Sequence, residues 1–141
     1  MDDMRTALAT PIRCQQDLHD RWSILMGELG FSRRSLWFTF VDTERRMIPQ
    51  ISEIVDLSDR GDHEMASELL TMCRRLLDEA DGVSSVAFLV SRPGHHRMDP
   101  DDRSWARALT AAARFQRVPI ETVHLATDSS LVAFAPDDLA A

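Results

Sequence analysis

The sequence predicts an α/β fold, a mixed β-sheet with helices packed on it, in the order α-β-β-α-β-α-β-β. Two observations predict it. Segments with apolar residues at helical spacing alternate along the chain with short runs rich in β-branched and aromatic residues, the pattern of layered α/β architecture. The 141 residues, 44% hydrophobic and 28% charged, suit one domain over residues 1–141 that is long enough to bury a core. No internal repeat, low-complexity stretch or linker divides it.

Residues 1–10 are small and polar and read as a frayed end. Leu18, Trp22, Leu25 and Leu29 then recur at helical intervals, which predicts an amphipathic helix over 16–29 with Gly30 just past its end. Leu36 to Val41 (LWFTFV) reads as a strand covered on both faces. After the polar turn Asp42–Arg46, a second strand is expected over Met47–Val55, its early part held to an edge or a bulge by Pro49. The two strands form a hairpin. Asp62 closes the loop DLSDRGD as the cap of a helix whose apolar face is Met65, Leu69, Met72, Leu76 and Ala80. Val83–Val90 is a short buried strand. A third helix, marked by Trp105, Leu109, Ala112 and Ala113, is entered at Asp99-Pro100 or Asp101-Asp102 and stopped at Arg117-Val118-Pro119. Ile120–Ala126 and Leu131–Ala135 are the closing strands, joined at Thr127–Ser130.

Composition removes several chemistries. The 23 acidic residues exceed 16 basic ones, a formal charge of −7, which argues against a surface that tracks nucleic acid or anionic lipid except through a local arginine patch. The doublets Arg33-Arg34, Arg45-Arg46 and Arg74-Arg75 could form such a patch if two of them met; otherwise they are solvated pairs. Every basic residue is arginine, so a Schiff-base or P-loop lysine is excluded, and without tyrosine so is a catalytic phenol. Cys14 and Cys73, in no metal or redox spacing, read as reduced thiols. Asp2 and Asp3 stand where a signal peptide carries positive charge, and no apolar run approaches the ~18 residues of a membrane span. The expectation is a cytoplasmic protein with no membrane segment.

The irregular stretch 91–103 leaves a buried strand and enters a helix, where open α/β sheets keep their sites. It holds Arg92, His95, His96, Arg97, Asp99, Asp101, Asp102 and Arg103. Three readings apply. Arg92, Arg97 and Arg103 around a helix N-terminus suit an anion, although the aspartates oppose that field. His95 or His96 with a carboxylate, joined by His124 or Asp128, could ligate a metal, although adjacent histidines on extended chain point apart. His124, mid-strand between apolar neighbours, could serve as a general base but has no nucleophile in a recognisable setting.

From Leu36 onward the order of elements resembles the JAB/MPN metalloprotease-type domain, and most of all its RadC branch. LWFTFVDTERRMI is similar to that family's first hairpin, HEMASELLTMCRRLL to its first helix, VAFLVSRPG to the strand before its metal loop, and VPIETVHLATDSSLVAFA to its closing segment. The likeness covers 36–136 and leaves the N-terminal helix outside. In active members of that family a strand ends in His-x-His-Pro, Ser-x-x-Asp follows, and an upstream Glu completes a zinc site. Here the proline is Pro93, the histidine places are Val90 and Arg92, the Ser-x-x-Asp place is best matched by Asp99 and Asp102, and Glu53 is displaced by one or two positions to where Ile51 or Ser52 would align.

The resemblance therefore implies a metal-free member without a cofactor, and such members act as scaffolds that pair with a similar domain or a larger partner. The leading expectation is a non-catalytic interaction or regulatory protein, with a protein partner or a homo-oligomer. Its N-terminal helix would be the docking element, through Trp22, Leu18 and Leu25; Trp37 reads rather as core. The alternatives are a metal-dependent hydrolase rebuilt from His95 or His96, Asp102, His124 and Asp128, and a small-anion or nucleotide sensor at Arg92, Arg97 and the helix start.

Overall fold

A computed structural model describes residues 9–139. Its helices are α1 (Gln15–Met26), α2 (His63–Glu79), α3 (Pro100–Gln116) and the short α4 (Pro136–Leu139), and its strands β1 (Ser35–Asp42), β2 (Ser52–Ile54), β3 (Val83–Ser91), β4 (His124–Ala126) and β5 (Leu131–Ala133). The five strands form one sheet in the order β2-β1-β3-β4-β5. It is mixed: β3 and β4 run parallel, and the other neighbours are antiparallel. The α/β class with a mixed sheet is the one the alternating pattern predicts.

Side chains along a strand alternate between faces, and here both faces are covered. Leu36, Phe38, Val86, Phe88 and Val90 pack with Leu69, Leu70, Trp105 and Leu109 of α2 and α3. Val41, Ala87 and Leu89 point the other way, into a second cluster with Leu18 and Trp22 of α1. This explains why LWFTFV and SVAFLV are nearly continuous apolar runs rather than alternating ones.

Four boundaries differ from expectation, one of them the end of β5, at Ala133 rather than Ala135. Helix α1 ends at Gly27, which takes φ 60, rather than at Gly30; the first glycine reached can take a positive φ without a Cβ penalty. Leu29 still packs on the second cluster, from irregular chain. The second strand of the hairpin shrinks to Ser52–Ile54, with only a lone bridge from Met47 to Val41, because Pro49 removes a ladder donor. The segment 120–123 contributes a lone bridge, Ile120 to Val86, before regular pairing starts at His124. Helix α4 was not expected; it is four residues long, too short for periodicity to reveal.

Helix starts match their chemistry. Asp62 caps α2 by accepting from the Met65 amide at 3.1 Å. The preceding Gly61 is a close-approach glycine: a Cβ there would lie 2.4 Å from the Ser104 carbonyl oxygen of α3, and the Gly61 amide donates to Ser104 Oγ at 2.7 Å. Gly61→Ala is expected to lower stability by about 1–3 kcal/mol, since backbone must move to admit the methyl; urea denaturation of the two proteins measures it.

Candidate functional site

The site grows from the first turn of α3. Asp99 is its N-cap, Pro100 occupies the first turn, and Asp102 completes a capping box, with Asp102 N–H donating to Asp99 at 2.9 Å and Asp99 N–H to Asp102 at 3.0 Å. Here the N3 carboxylate does more than cap. Asp102 is fully buried and accepts from Arg92 Nε at 2.8 Å, from Arg92 Nη2 at 2.8 Å and from Arg34 Nη1 at 2.8 Å.

Arg92, only 3% exposed, also donates to the carbonyls of Pro93, His96 and Arg97 at 3.1–3.2 Å. Its guanidinium therefore ties the end of β3, the following loop and α3 into one knot. Burial alone would raise the Asp102 pKa, but the bonds from Arg92, the Asp99 amide and Arg34 outweigh it and hold the carboxyl at about 2. The bond to Asp102 in turn raises the Arg92 pKa. The centre is an Arg34–Asp102–Arg92 triad whose carboxylate is ionised at neutral pH.

The other loop residues lie outside it. His96 Nε2 meets Asp99 Oδ2 at 3.0 Å on the surface, and the side chains of His95 and Arg97 are exposed. Arg103 lies 3.6 Å from Asp138 of α4. Asp128 pins the loop, accepting from the amides of Gly94 at 2.7 Å and Phe31 at 2.9 Å; those bonds, chiefly the Gly94 one, lower its pKa. A cleft of about 580 Å³ opens over the knot between Arg33, Arg34, His96 and Asp101. Arg33 is bound to Asp56 at 3.0 Å across its rim.

His124 does not join this group. It stands opposite Leu89 in the β3–β4 register, on the face covered by α1, with its ring 6.0 Å from that of His19. The rebuilt metal set fails for that reason: Asp102 and His124 face opposite sides of the sheet, Asp102 is already enclosed by two arginines, and Asp128 is committed to backbone amides. Among the described residues no three His, Cys, Asp or Glu side chains are placed to hold a metal ion. Glu53 pairs with Trp37, which packs on the α1 side, so Ser52 rather than Glu53 shares the face of Leu36 and Val90. An offset of one residue turns a strand side chain away from its site.

The docking expectation for α1 is corrected in the same way. Trp22 and Leu18 are 0% and 2% exposed in the second core cluster, and Leu25 packs half-buried against it. They hold α1 to the sheet. The arginine doublets make no shared patch: Arg33 pairs with Asp56, Arg45 with Glu121, Arg46 with Glu44 and Arg74 with Asp78. Arg34 is the residue that sequence reasoning missed; its doublet looked like solvated surface, and the one available signal was its place immediately before a buried strand.

Burial pushes His124 down to about 4, opposed by its bond to the Thr122 carbonyl. Because the folded value lies below the unfolded one of ~6.5, folding prefers the neutral ring; its contribution is complete above pH ~6.5 and is lost as pH falls toward 4. The loss is about 3 kcal/mol across that window. Denaturant titrations between pH 7.5 and 4 measure it, and His124→Phe is expected to flatten that part of the profile.

No family model matches the chain, and no curated protein matches it. Among the described residues no helix is long and apolar enough to cross a membrane.

Proposed function

We propose that the chain is a non-catalytic, cytoplasmic protein-interaction or regulatory domain on a metal-free JAB/MPN-like fold. The observation that carries this reading is Arg92. It stands where the resemblance puts a zinc-binding histidine, has no lone pair to give a metal, and brings a fixed positive charge to the carboxylate that a cation would otherwise share. Val90, at the other histidine place, is buried apolar core. Arg34 completes the neutralisation of Asp102. The residues present do not fit zinc, and the triad holds loop and helix in place without it.

An interaction role needs outward apolar surface, and Phe115 is 88% exposed, with Met72 and Leu76 half-exposed one turn apart on α2. Contact with a partner or a second copy is assigned to that side of the molecule rather than to α1. The test combines a peptide and isopeptide hydrolysis assay in added zinc with sedimentation equilibrium. The expected result is no hydrolysis, together with self-association or partner binding weakened by Phe115→Ser. Zinc-dependent hydrolysis abolished by Asp102→Asn would overturn the reading.

A further inference from the structure

A cleft of about 620 Å³ lies away from the triad, between the second half of α3 and the segment that leads into β4. A volume of that order is the size of small-ligand sites. One wall is a helical stripe, Arg107, Thr110 and Arg114, at spacings of three and four on α3. The facing wall is apolar, formed by Ile120, Val123 and Phe134.

The stripe is a set of donors without acceptors. Arg107 Nε and Thr110 Oγ1 are buried and have no hydrogen-bond partner in the protein. Neither Arg107 nor Arg114 makes an ion pair among the described residues, unlike Arg33, Arg34, Arg45, Arg46 and Arg74. A buried donor left unpaired carries its full desolvation penalty, so an acceptor placed here has a large advantage. Among the described residues the one carboxylate that lines the cleft, Glu121, is spent elsewhere: Arg45 binds it through two nitrogens at 2.7 and 2.9 Å, and Ser85 donates to it. That bidentate pairing lowers its pKa and leaves it no call on Arg107.

We infer that this cleft binds a small amphipathic carboxylate, with its oxyanion on Arg107 and Thr110, Arg114 at the mouth, and its apolar body against Ile120, Val123 and Phe134. Arg107 and Thr110 are one turn apart on one face and can share one carboxylate; charge-assisted bonds of this kind are the strong ones. An inorganic anion would leave the apolar wall unused, and a neutral lipid would leave the donors unpaired. The site stands independently of the metal-free reading, which rests on the triad at the first turn of α3.

Calorimetric titration with octanoate, acetate and octan-1-ol tests it, with amide NMR shifts to locate the contact. The expected result is saturable binding of octanoate with shifts concentrated in 107–114 and 120–139, and far weaker binding of the two truncated probes. Arg107→Gln is expected to weaken octanoate at least about tenfold, the size of one charged hydrogen bond. Thr110→Val gives a second reading if Arg107→Gln does not fold. Non-saturable uptake, equal binding of octan-1-ol or acetate, or an affinity unchanged in both variants would overturn the inference.

Discussion

Asp102→Ala is expected to lose about 3–5 kcal/mol of folding stability, the range for stripping one partner from a buried charge cluster. The carboxylate is fully buried and is the shared acceptor of Arg34 and Arg92. Removing it leaves two guanidiniums facing each other inside the fold, each desolvated and neither neutralised. It also removes half of the α3 capping box, a further contribution of about 1 kcal/mol. Asp102→Asn keeps the shape and an acceptor oxygen but not the charge, and is expected to fall between. Urea denaturation at pH 7 measures both; a loss below about 1 kcal/mol for the alanine variant would mean that the arginines reach solvent. Acid distinguishes the triad from His124. With its pKa lowered to about 2, Asp102 contributes fully above its ordinary value and loses that contribution only as pH falls from about 4 toward 2, below the window in which His124 titrates.

Trp22→Ala is expected to cost about 3–5 kcal/mol, as for other large-to-small changes in a core. Trp22 is fully enclosed by the second cluster, where α1 covers Val41, Met47, Ala87 and Leu89 of the sheet. Its indole N–H is buried without a partner, so Trp22→Phe, which deletes that donor and keeps most of the volume, is expected to cost less than about 1.5 kcal/mol. The same geometry decides what a truncation of residues 1–30 does. Rather than releasing a folded domain that has lost its docking element, it uncovers a whole sheet face and is expected to unfold the protein, read as loss of the cooperative thermal transition. A truncated chain that still melts cooperatively would return α1 to the role of an appended element.

The elements were legible where periodicity was strong. Met65, Leu69, Met72 and Leu76 mark α2, and the doubly covered strands β1 and β3 appear as unbroken apolar runs, because those segments are long and answer to one burial pattern each. Boundaries were less legible: Gly27 and Gly30 both permit a helix stop, and which one is used depends on how Leu25 and Leu29 seat on the sheet. The candidate site was half legible. The aspartate cap of α3 and the aspartate three residues later are visible in DPDD, and Arg92 is conspicuous before Pro93. The triad was not, because Arg34 lies 68 residues before Asp102 and only the pairing of β1 with β3 brings it there. His124 was expected in a strand, as found, but its grouping with the loop residues fails for a related reason: proximity in a closing hairpin says nothing about which sheet face a side chain takes, and register alone decides it.

The most direct measurement is zinc stoichiometry, by elemental analysis of untagged protein purified without chelator and then dialysed against zinc. The expected result is well below one equivalent per chain, the same in Asp102→Asn and in a variant with His95, His96 and His124 all replaced by alanine. About one equivalent of tightly held zinc, lost in either variant, would contradict the metal-free reading and return Asp102 to the role of a ligand.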